Sequence, residues 1–224
     1  SFCSICSGKG VTSNGLCSCF SKEYKSAQYH LNSDAFAFSD GMIRNFSLSD
    51  YSDQVNIKTG KSDKEIIEKL INRFDSYGSL PYENILLTNP CCIAKKFLES
   101  FSLKKAIDNG FFSIYLSAFS LSKMIEDDRY NRFKNDNDFH LNEDSLRLKN
   151  CDLLIIDGMG SEPVSTYYIG YLLDIIDHRL AEKKVTICSL SIPRSDMGTY
   201  YNSELVFRFS RFVNYNVPLT VNEI

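Results

Sequence analysis

The sequence lacks any hydrophobic run long enough to cross a bilayer. Its longest apolar stretches, such as residues 153–156, fall far below the roughly 20 residues that a membrane-spanning helix requires. No positively charged and then apolar leader opens the chain, and the sequence contains no internal repeats. These absences exclude a membrane-spanning protein and a repeat array, so we expect a cytoplasmic protein without membrane contact.

An excess of one charge is also missing, since 25 Lys and Arg residues stand against 28 Asp and Glu residues, for a net charge of −3. The whole chain therefore does not attract nucleic acid, and contact with DNA would need a local basic patch. None of the three histidines has a Cys or Ser partner at a spacing that indicates a catalytic pair, which argues against histidine-based catalysis. The first residue is Ser1 and a cysteine cluster follows at once, so we expect a fragment of a longer chain.

The size and composition favour one globular domain with a small appendage. A chain of 224 residues is long enough to bury one substantial core. Hydrophobic residues make up 43% and charged residues 24%, which is the balance of a soluble globular protein.

The eight cysteines form two groups, of which only the N-terminal one has the spacing of metal ligands. That group consists of Cys3, Cys6, Cys17 and Cys19. Two pairs of thiolates joined by a glycine-rich turn can complete a tetrahedron around zinc. The alternative is two disulfides, which the strand-like and helix-like contexts of the other cysteines disfavour. We predict a structural zinc-binding knob over residues 1–22.

Two further regions follow the knob. Residues 23–60 are mixed and polar, and we interpret them as a linker with short ordered pieces that leads into the main domain. That domain spans residues 61–224 and opens on a capping box, in which Ser62 and Glu65 precede a helix. Every third or fourth residue of this helix is apolar up to Phe74, so one face is expected to be buried.

Short apolar runs then alternate with helical stretches. The strand-like runs are residues 85–87, 112–116, 153–156 and 185–189, and the helical stretches between them are residues 93–109, 121–132 and 165–182. Residues 135–144 are polar and are read as a solvated loop or insertion. Strands that alternate with helices predict an α/β fold with a mostly parallel sheet and flanking helices.

The loop after the first strand of this domain carries a lysine where a phosphate-binding loop has one. Such a loop needs glycines, a lysine, and a Ser or Thr hydroxyl on magnesium. Lys95 matches the lysine, but Asn89 and Ala94 occupy the glycine positions and Lys96 the hydroxyl position, and Cys92 adds a further Cβ. Taken alone, Lys95 is equally compatible with a solvated lysine at a helix start.

The strand over residues 153–156 ends in Asp157 and Gly158. In a Walker B strand the first acid holds magnesium and the second activates the attacking water. Asp157 keeps the first position, and Gly158 stands at the second. An isolated Asp157 would equally suit a carboxylate that caps the next turn.

In this combination the chain resembles the DnaC/DnaI-type loaders of replicative helicases, a branch of the AAA+ ATPases, over nearly its whole length. The resemblance rests on the cysteine motif, on Phe46 and its neighbours, on the Walker B strand and on the strand after Lys184. It implies a P-loop NTPase-like (AAA+) sheet, ATP or ADP with magnesium as cofactor, and a helicase as partner. It also places Ser191 at the sensor position. Of the two arginines that this family carries near the γ-phosphate, Arg208 keeps the second, while Glu204 stands at the position of the first.

These departures predict a non-hydrolysing or weakly nucleotide-binding loader-like subunit, since each loss removes part of the phosphoryl-transfer machinery. Its partner would be the replicative DNA helicase or a second helicase loader. Two alternatives stay open: an active ATP-dependent loader, and a regulator that binds single-stranded DNA. For the last, Arg129, Arg132 and Lys134 with Tyr130 and Phe133 form a basic and aromatic patch, which nearby acidic residues offset.

Overall fold

The coordinates are a computed structural model. It describes residues 3–13, 15–36, 46–57, 60–75, 83–89, 93–134 and 143–220, with the backbone only at 131–134. No helix of these ranges is both long enough and apolar enough to span a membrane.

The described residues contain nine strands. The strands are β1 (Val11–Thr12), β2 (Gly15–Leu16), β3 (Val55–Asn56), β4 (Lys61–Ser62), β5 (Ile85–Thr88), β6 (Ser113–Ser117), β7 (Leu153–Met159), β8 (Val185–Leu190) and β9 (Val213–Asn216). β1 pairs with β2 and β3 with β4, both antiparallel. The other five strands form one parallel sheet in the order β6-β7-β8-β5-β9.

The helices flank this sheet. They are α1 (Ser18–Leu31), α2 (Asp63–Asp75), α3 (Ile93–Asp108), α4 (Ala118–Lys134), α5 (Glu143–Asn150), α6 (Thr166–Ala181), α7 (Met197–Tyr200) and α8 (Ser203–Phe209). Two single-turn 3₁₀ helices lie at Leu48–Asp50 and Arg194–Asp196.

The central strands are buried on both faces because a layer of helices covers each side. Along β7, Leu153 and Ile155 pack with α2 and α3 into one core cluster. Leu154 and Ile156 point the other way and pack with α4 and α6. Alternation along a strand therefore divides the apolar side chains between two layers.

The predicted α/β fold is confirmed. Each predicted strand and helix of the main domain appears within a few residues of its expected bounds. The capping box also forms: the Ser62 hydroxyl accepts from the N–H of Glu65 at 3.2 Å, and the Glu65 carboxylate accepts from the N–H of Ser62 at 2.9 Å.

The predicted linker contains more structure than the sequence indicated. α1 begins inside the predicted knob and continues into residues 23–60, along the edge strand β6. The Asn32 side chain accepts from the N–H of Tyr115 at 2.7 Å and donates to the carbonyl of Ser113 at 3.0 Å. The Gln28 side chain accepts from the N–H of Ser113 at 2.9 Å. α1 thus satisfies backbone groups that an edge strand would leave open.

Several other elements were not predicted, among them β9, α5, α7 and α8. β9 alternates between apolar and polar residues but is largely exposed, and it extends the sheet beyond β5. α5 begins at Glu143, inside the stretch read as a loop over residues 135–144; residues 135–142 lie outside the described structure.

Candidate functional site

The N-terminal cysteines converge on one point. The β1–β2 hairpin returns the chain, so that Cys17 caps the start of α1 and Cys19 lies in its first turn. The sulfurs of Cys3 and Cys17 are 3.8 Å apart and those of Cys6 and Cys19 are 3.5 Å apart. All four sulfurs lie within 4.8 Å of one another.

These distances suit a metal better than disulfides. A tetrahedron with Zn–S bonds of about 2.3 Å has S–S edges of about 3.8 Å, whereas a disulfide is about 2.05 Å long. Hydrogen bonds from the backbone of Cys6 and Ile5 lower the pKa of Cys3 to about 6. Hydrogen bonds with Cys6, Cys17 and Cys3 raise the pKa of Cys19 to about 12. A bound cation would favour the thiolate form of its cysteine ligands.

The first residue of the loop expected to hold phosphate, Asn89, is fixed by a hydrogen bond within the protein. Asn89 has a left-handed backbone, with φ of 96°, as a glycine would have at this position. Its side-chain amide donates to the carbonyl of Val217 at 2.8 Å. Ala94 is fully buried, and Cys92 lies outside the described residues.

Lys95 is buried rather than solvated. Its side chain is directed to the end of β8, where the ammonium donates to the carbonyl of Leu190 at 2.5 Å. The reading of Lys95 as a solvated lysine at a helix start is therefore wrong. The lysine of the motif points into the protein, toward a backbone carbonyl.

Asp157 is the centre of a hydrogen-bonded network at the carboxyl ends of the strands. The Lys96 ammonium contacts its carboxylate. The Tyr115 hydroxyl donates to Asp157 Oδ2 at 2.9 Å, and the Ser189 hydroxyl donates to Asp157 Oδ1 at 3.0 Å. Burial raises the pKa of Tyr115, so this hydroxyl keeps its proton and serves as a donor.

Gly158 departs from a normal strand conformation. The β7–β8 register shifts between Ile156 and Met159, and Gly158 has φ of 75°. An added Cβ at Gly158 would lie 3.2 Å from the hydroxyl of Ser191, the residue predicted at the sensor position. The predicted second Walker B position therefore has neither an acid nor a regular strand backbone.

Glu99 is a buried carboxylate one turn beyond the two lysines. It is fully buried, and neither of its carboxylate oxygens makes a hydrogen bond with any residue that the structure describes. Burial raises the pKa of the Glu99 carboxyl, while Lys96, Ser189 and Lys95 act to lower it. The site thus holds a second acid behind Asp157.

Arg208 is engaged away from the network. Its guanidinium makes a two-pronged pair with Asp177 on α6, at 2.9 and 3.0 Å. In the described ranges it makes no contact with Lys95, Lys96 or Asp157. The structure therefore places the predicted arginine position on the surface between α6 and α8.

The predicted basic and aromatic patch on α4 is only partly described. Arg129 pairs with Glu126 at 3.5 Å and lies 5.4 Å from the ring centre of Tyr167. The side chains of residues 131–134 lie outside the described part, so DNA binding there stays a prediction. The groove nearby is lined by the carboxylates of Asp127, Asp128 and Asp144.

Comparison with known proteins identifies the architecture. No protein-family model and no curated protein matches the sequence. Among solved structures, the DnaC helicase loader aligns with a TM-score of 0.52 and 16% identity, over 78% of this chain and 97% of its own. The chain therefore shares its fold with this structure. DnaI aligns likewise, with a TM-score of 0.54 and 14% identity, over 70% of this chain and 85% of its own.

A similar fold occurs in the replication initiator DnaA. AMPPCP-bound DnaA from Aquifex aeolicus aligns with a TM-score of 0.55 and 19% identity, over 71% of this chain. The alignment covers 46% of that DnaA, so this chain spans about half its length. At these identities the comparisons establish the fold and leave the activity to be argued from the site.

Among the residues that the structure describes, those that the sequence assigned to magnesium ATP do not fit that cofactor. The lysine that would face phosphates is buried on Leu190, the carboxylate that would hold magnesium is paired with Lys96, and Gly158 stands where an acid would be. The cysteine cluster, in contrast, has the donors and spacing that zinc requires.

Three site residues were missed from the sequence. Tyr115 and Ser189 donate to Asp157 from the neighbouring strands, and Glu99 lies buried behind the lysines. The parallel register offered a signal for Tyr115: Ser117 is the partner of Asp157, and Tyr115 lies two residues earlier on the same face. Glu99 reads from sequence as an ordinary helix-surface acid.

Proposed function

We propose that this chain is a helicase-loader-like protein of DNA replication whose AAA+ site does not hydrolyse ATP. It acts through contacts with the replicative helicase or with a second loader. The AAA+ fold shared with DnaC and DnaI supports the loader assignment. The observation that carries the loss of hydrolysis is the Lys96–Asp157 pair, because it engages the carboxylate that an active site needs for magnesium.

A structural zinc ion in the cysteine cluster is part of this proposal. The zinc would join the knob, residues 1–22, to the start of α1, whose later residues lie along β6. No fifth ligand from the described residues approaches the four sulfurs, so the metal would hold the knob together rather than catalyse a reaction.

An active loader is disfavoured by the same geometry. Catalysis of phosphoryl transfer needs a metal ligand, a positioned base and cationic groups near the γ-phosphate. Here Asp157 is paired, Gly158 has no side chain, and Arg208 is held by Asp177. A single missing donor typically costs about 10²-fold or more in rate.

The test is association with the helicase and with an active loader from the same source, measured by size-exclusion chromatography with and without ATP. We expect a complex with at least one of them, and we expect its formation not to depend on nucleotide. Absence of both complexes would refute the partner assignment. ATP turnover by the purified chain would refute the loss of hydrolysis.

A second arm of the experiment follows the ATPase activity of the active loader. We expect substoichiometric amounts of this chain to lower that activity, because Glu204 is exposed where a second arginine would be. Glu204→Arg is expected to relieve the effect. Glu143→Arg, which alters another exposed acid, is the matched control and should still inhibit.

A further inference from the structure

The carboxylate of Asp157 has its hydrogen-bonding positions largely filled by the protein itself. Oδ1 accepts from the Ser189 hydroxyl at 3.0 Å, while Oδ2 accepts from the Tyr115 hydroxyl at 2.9 Å and faces the Lys96 ammonium. A carboxylate offers about four lone-pair positions. A metal ion would therefore have to displace Lys96 or compete with it for the same oxygen.

The donors and acceptors of this network are mutually consistent. The Tyr115 oxygen accepts from Lys96 at 3.3 Å while its hydroxyl donates to Asp157. The Ser189 oxygen accepts from the N–H of Gly158 at 3.0 Å while its hydroxyl donates to Asp157. Each hydroxyl therefore uses both of its functions, and the network is complete without a metal or a ligand.

Residues of three elements surround the ammonium. Lys96 lies in the first turn of α3, Tyr115 on β6 and Asp157 on β7. The backbone N–H of Tyr115 is held in turn by Asn32, directly after α1. The Lys96 side chain is 38% exposed and borders a cavity of about 370 Å³, so solvent ions have access to the pair.

From this arrangement we infer that the Lys96 ammonium is a built-in cation that takes the place of a divalent metal ion beside Asp157. The Walker B carboxylate is then neutralised at all times, whether or not metal or nucleotide is in solution. This inference concerns the same site as the proposed function but does not depend on any protein partner. It explains why a lysine stands at the hydroxyl position: a hydroxyl would bind the metal, and an ammonium replaces it.

The experiment measures Mn²⁺ binding by the zinc-loaded chain, from the paramagnetic resonance signal of free Mn²⁺. The wild-type chain is expected to bind no stoichiometric Mn²⁺. Lys96→Ser removes the ammonium and adds a hydroxyl. This variant should bind one Mn²⁺ ion per chain, with an affinity at least about tenfold higher than that of the wild-type chain. The double variant Lys96→Ser with Asp157→Asn should lose that ion again.

Lys105→Ser is the matched control. Lys105 lies on the same helix as Lys96, but it pairs with Asp75 of α2. It should create no Mn²⁺ site. Stoichiometric Mn²⁺ binding by the wild-type chain that Asp157→Asn abolishes would overturn the inference. So would a folded Lys96→Ser chain with no gain in affinity.

If Lys96→Ser does not fold, the wild-type chain supplies the answer. We then expect millimolar Mn²⁺ to leave its melting temperature unchanged, and an increase that Asp157→Asn removes would contradict the inference. Failure to bind a helicase or loader would leave all of these Mn²⁺ results untouched, so the two proposals can fail separately.

Discussion

The Lys96 ammonium contacts the Asp157 carboxylate and so joins the first turn of α3 to the end of β7. In the ATP site that the sequence predicts, these two positions would share a magnesium ion, held by a hydroxyl and by an acid. Here they form an ion pair within the chain. The carboxyl ends of the strands thus surround a site whose charges are balanced internally.

The neighbouring glycine leads to a prediction about hydrolysis. Gly158→Asp is expected to produce no ATP turnover above background. The backbone at this position has φ of 75°, and the added Cβ would lie 3.2 Å from the Ser191 hydroxyl, so the new carboxylate would not be placed as on a regular strand. The left-handed backbone should also cost about 1 to 2 kcal/mol of stability. Phosphate release measures the first effect and urea unfolding the second.

Gly170→Ala is the control for this variant, because an added Cβ on the exposed face of α6 meets no atom within 4 Å. It should stabilise the chain by about 1 kcal/mol through helix propensity. Hydrolysis by Gly158→Asp would show that the loop around Lys95 is still competent.

A second prediction concerns the cover over the edge strand. Asn32→Ala should lower the free energy of unfolding by about 2 kcal/mol, because the N–H of Tyr115 and the carbonyl of Ser113 lose a buried partner. The exposed edge of β6 should also promote self-association, which light scattering detects. Asn150→Ala changes an exposed asparagine at the end of α5 and should stay within about 0.5 kcal/mol of wild type. Equal effects of the two substitutions would contradict the role given to α1.

A third prediction follows from the buried acid behind the lysines. The pKa of Glu99 is raised above its ordinary value of 4.5 by burial. Its contribution to stability is therefore present below the unfolded pKa and is lost as the pH rises toward the folded pKa. Glu99→Gln removes this loss. The free energy of unfolding of the variant should therefore exceed that of wild type by about 1 to 3 kcal/mol at pH 8, but by little at pH 4.

Urea unfolding at the two pH values makes this measurement. Glu68→Gln, at an exposed position of α2, is the control and should change stability by less than about 0.5 kcal/mol. A difference between Glu99→Gln and wild type that is the same at both pH values would rule out titration of Glu99 as the cause.

A fourth prediction concerns the metal of the knob. The purified chain should contain one zinc ion, and Cys17→Ser should remove most of it because one of four thiolate ligands is lost. Cys188→Ala changes an equally buried cysteine on β8 and should keep the zinc. Elemental analysis gives the stoichiometry, and zinc retained by Cys17→Ser would contradict the ligand set.

Much of the fold was accessible from sequence because its signals are local. The apolar run over residues 153–156 predicted a strand buried on both faces, and Ser62 with Glu65 predicted the start of α2. The position of α1 could not be predicted, because Gln28 and Asn32 are polar and yet buried. Both side chains form hydrogen bonds with the backbone of a strand that is distant in sequence. Propensity and periodicity do not record such contacts.

The sequence indicated candidate residues for the site but not the contacts between them. Asp157, Lys95 and Lys96 were singled out from motif spacing together with the resemblance to helicase loaders. The sequence could not reveal that Lys95 turns to Leu190 or that Lys96 turns to Asp157, because the β-α crossovers decide which strand ends meet. Tyr115, on the neighbouring strand, belongs to the same long-range arrangement.

The most direct test of the account is an equilibrium titration of the zinc-loaded chain with a fluorescent ATP analogue in the presence of magnesium. Lys95 is buried on Leu190 and Asp157 is occupied by Lys96, so we predict no saturable binding below millimolar nucleotide and no phosphate release. Saturable micromolar binding that requires magnesium and Asp157, followed by phosphate release, would contradict the account.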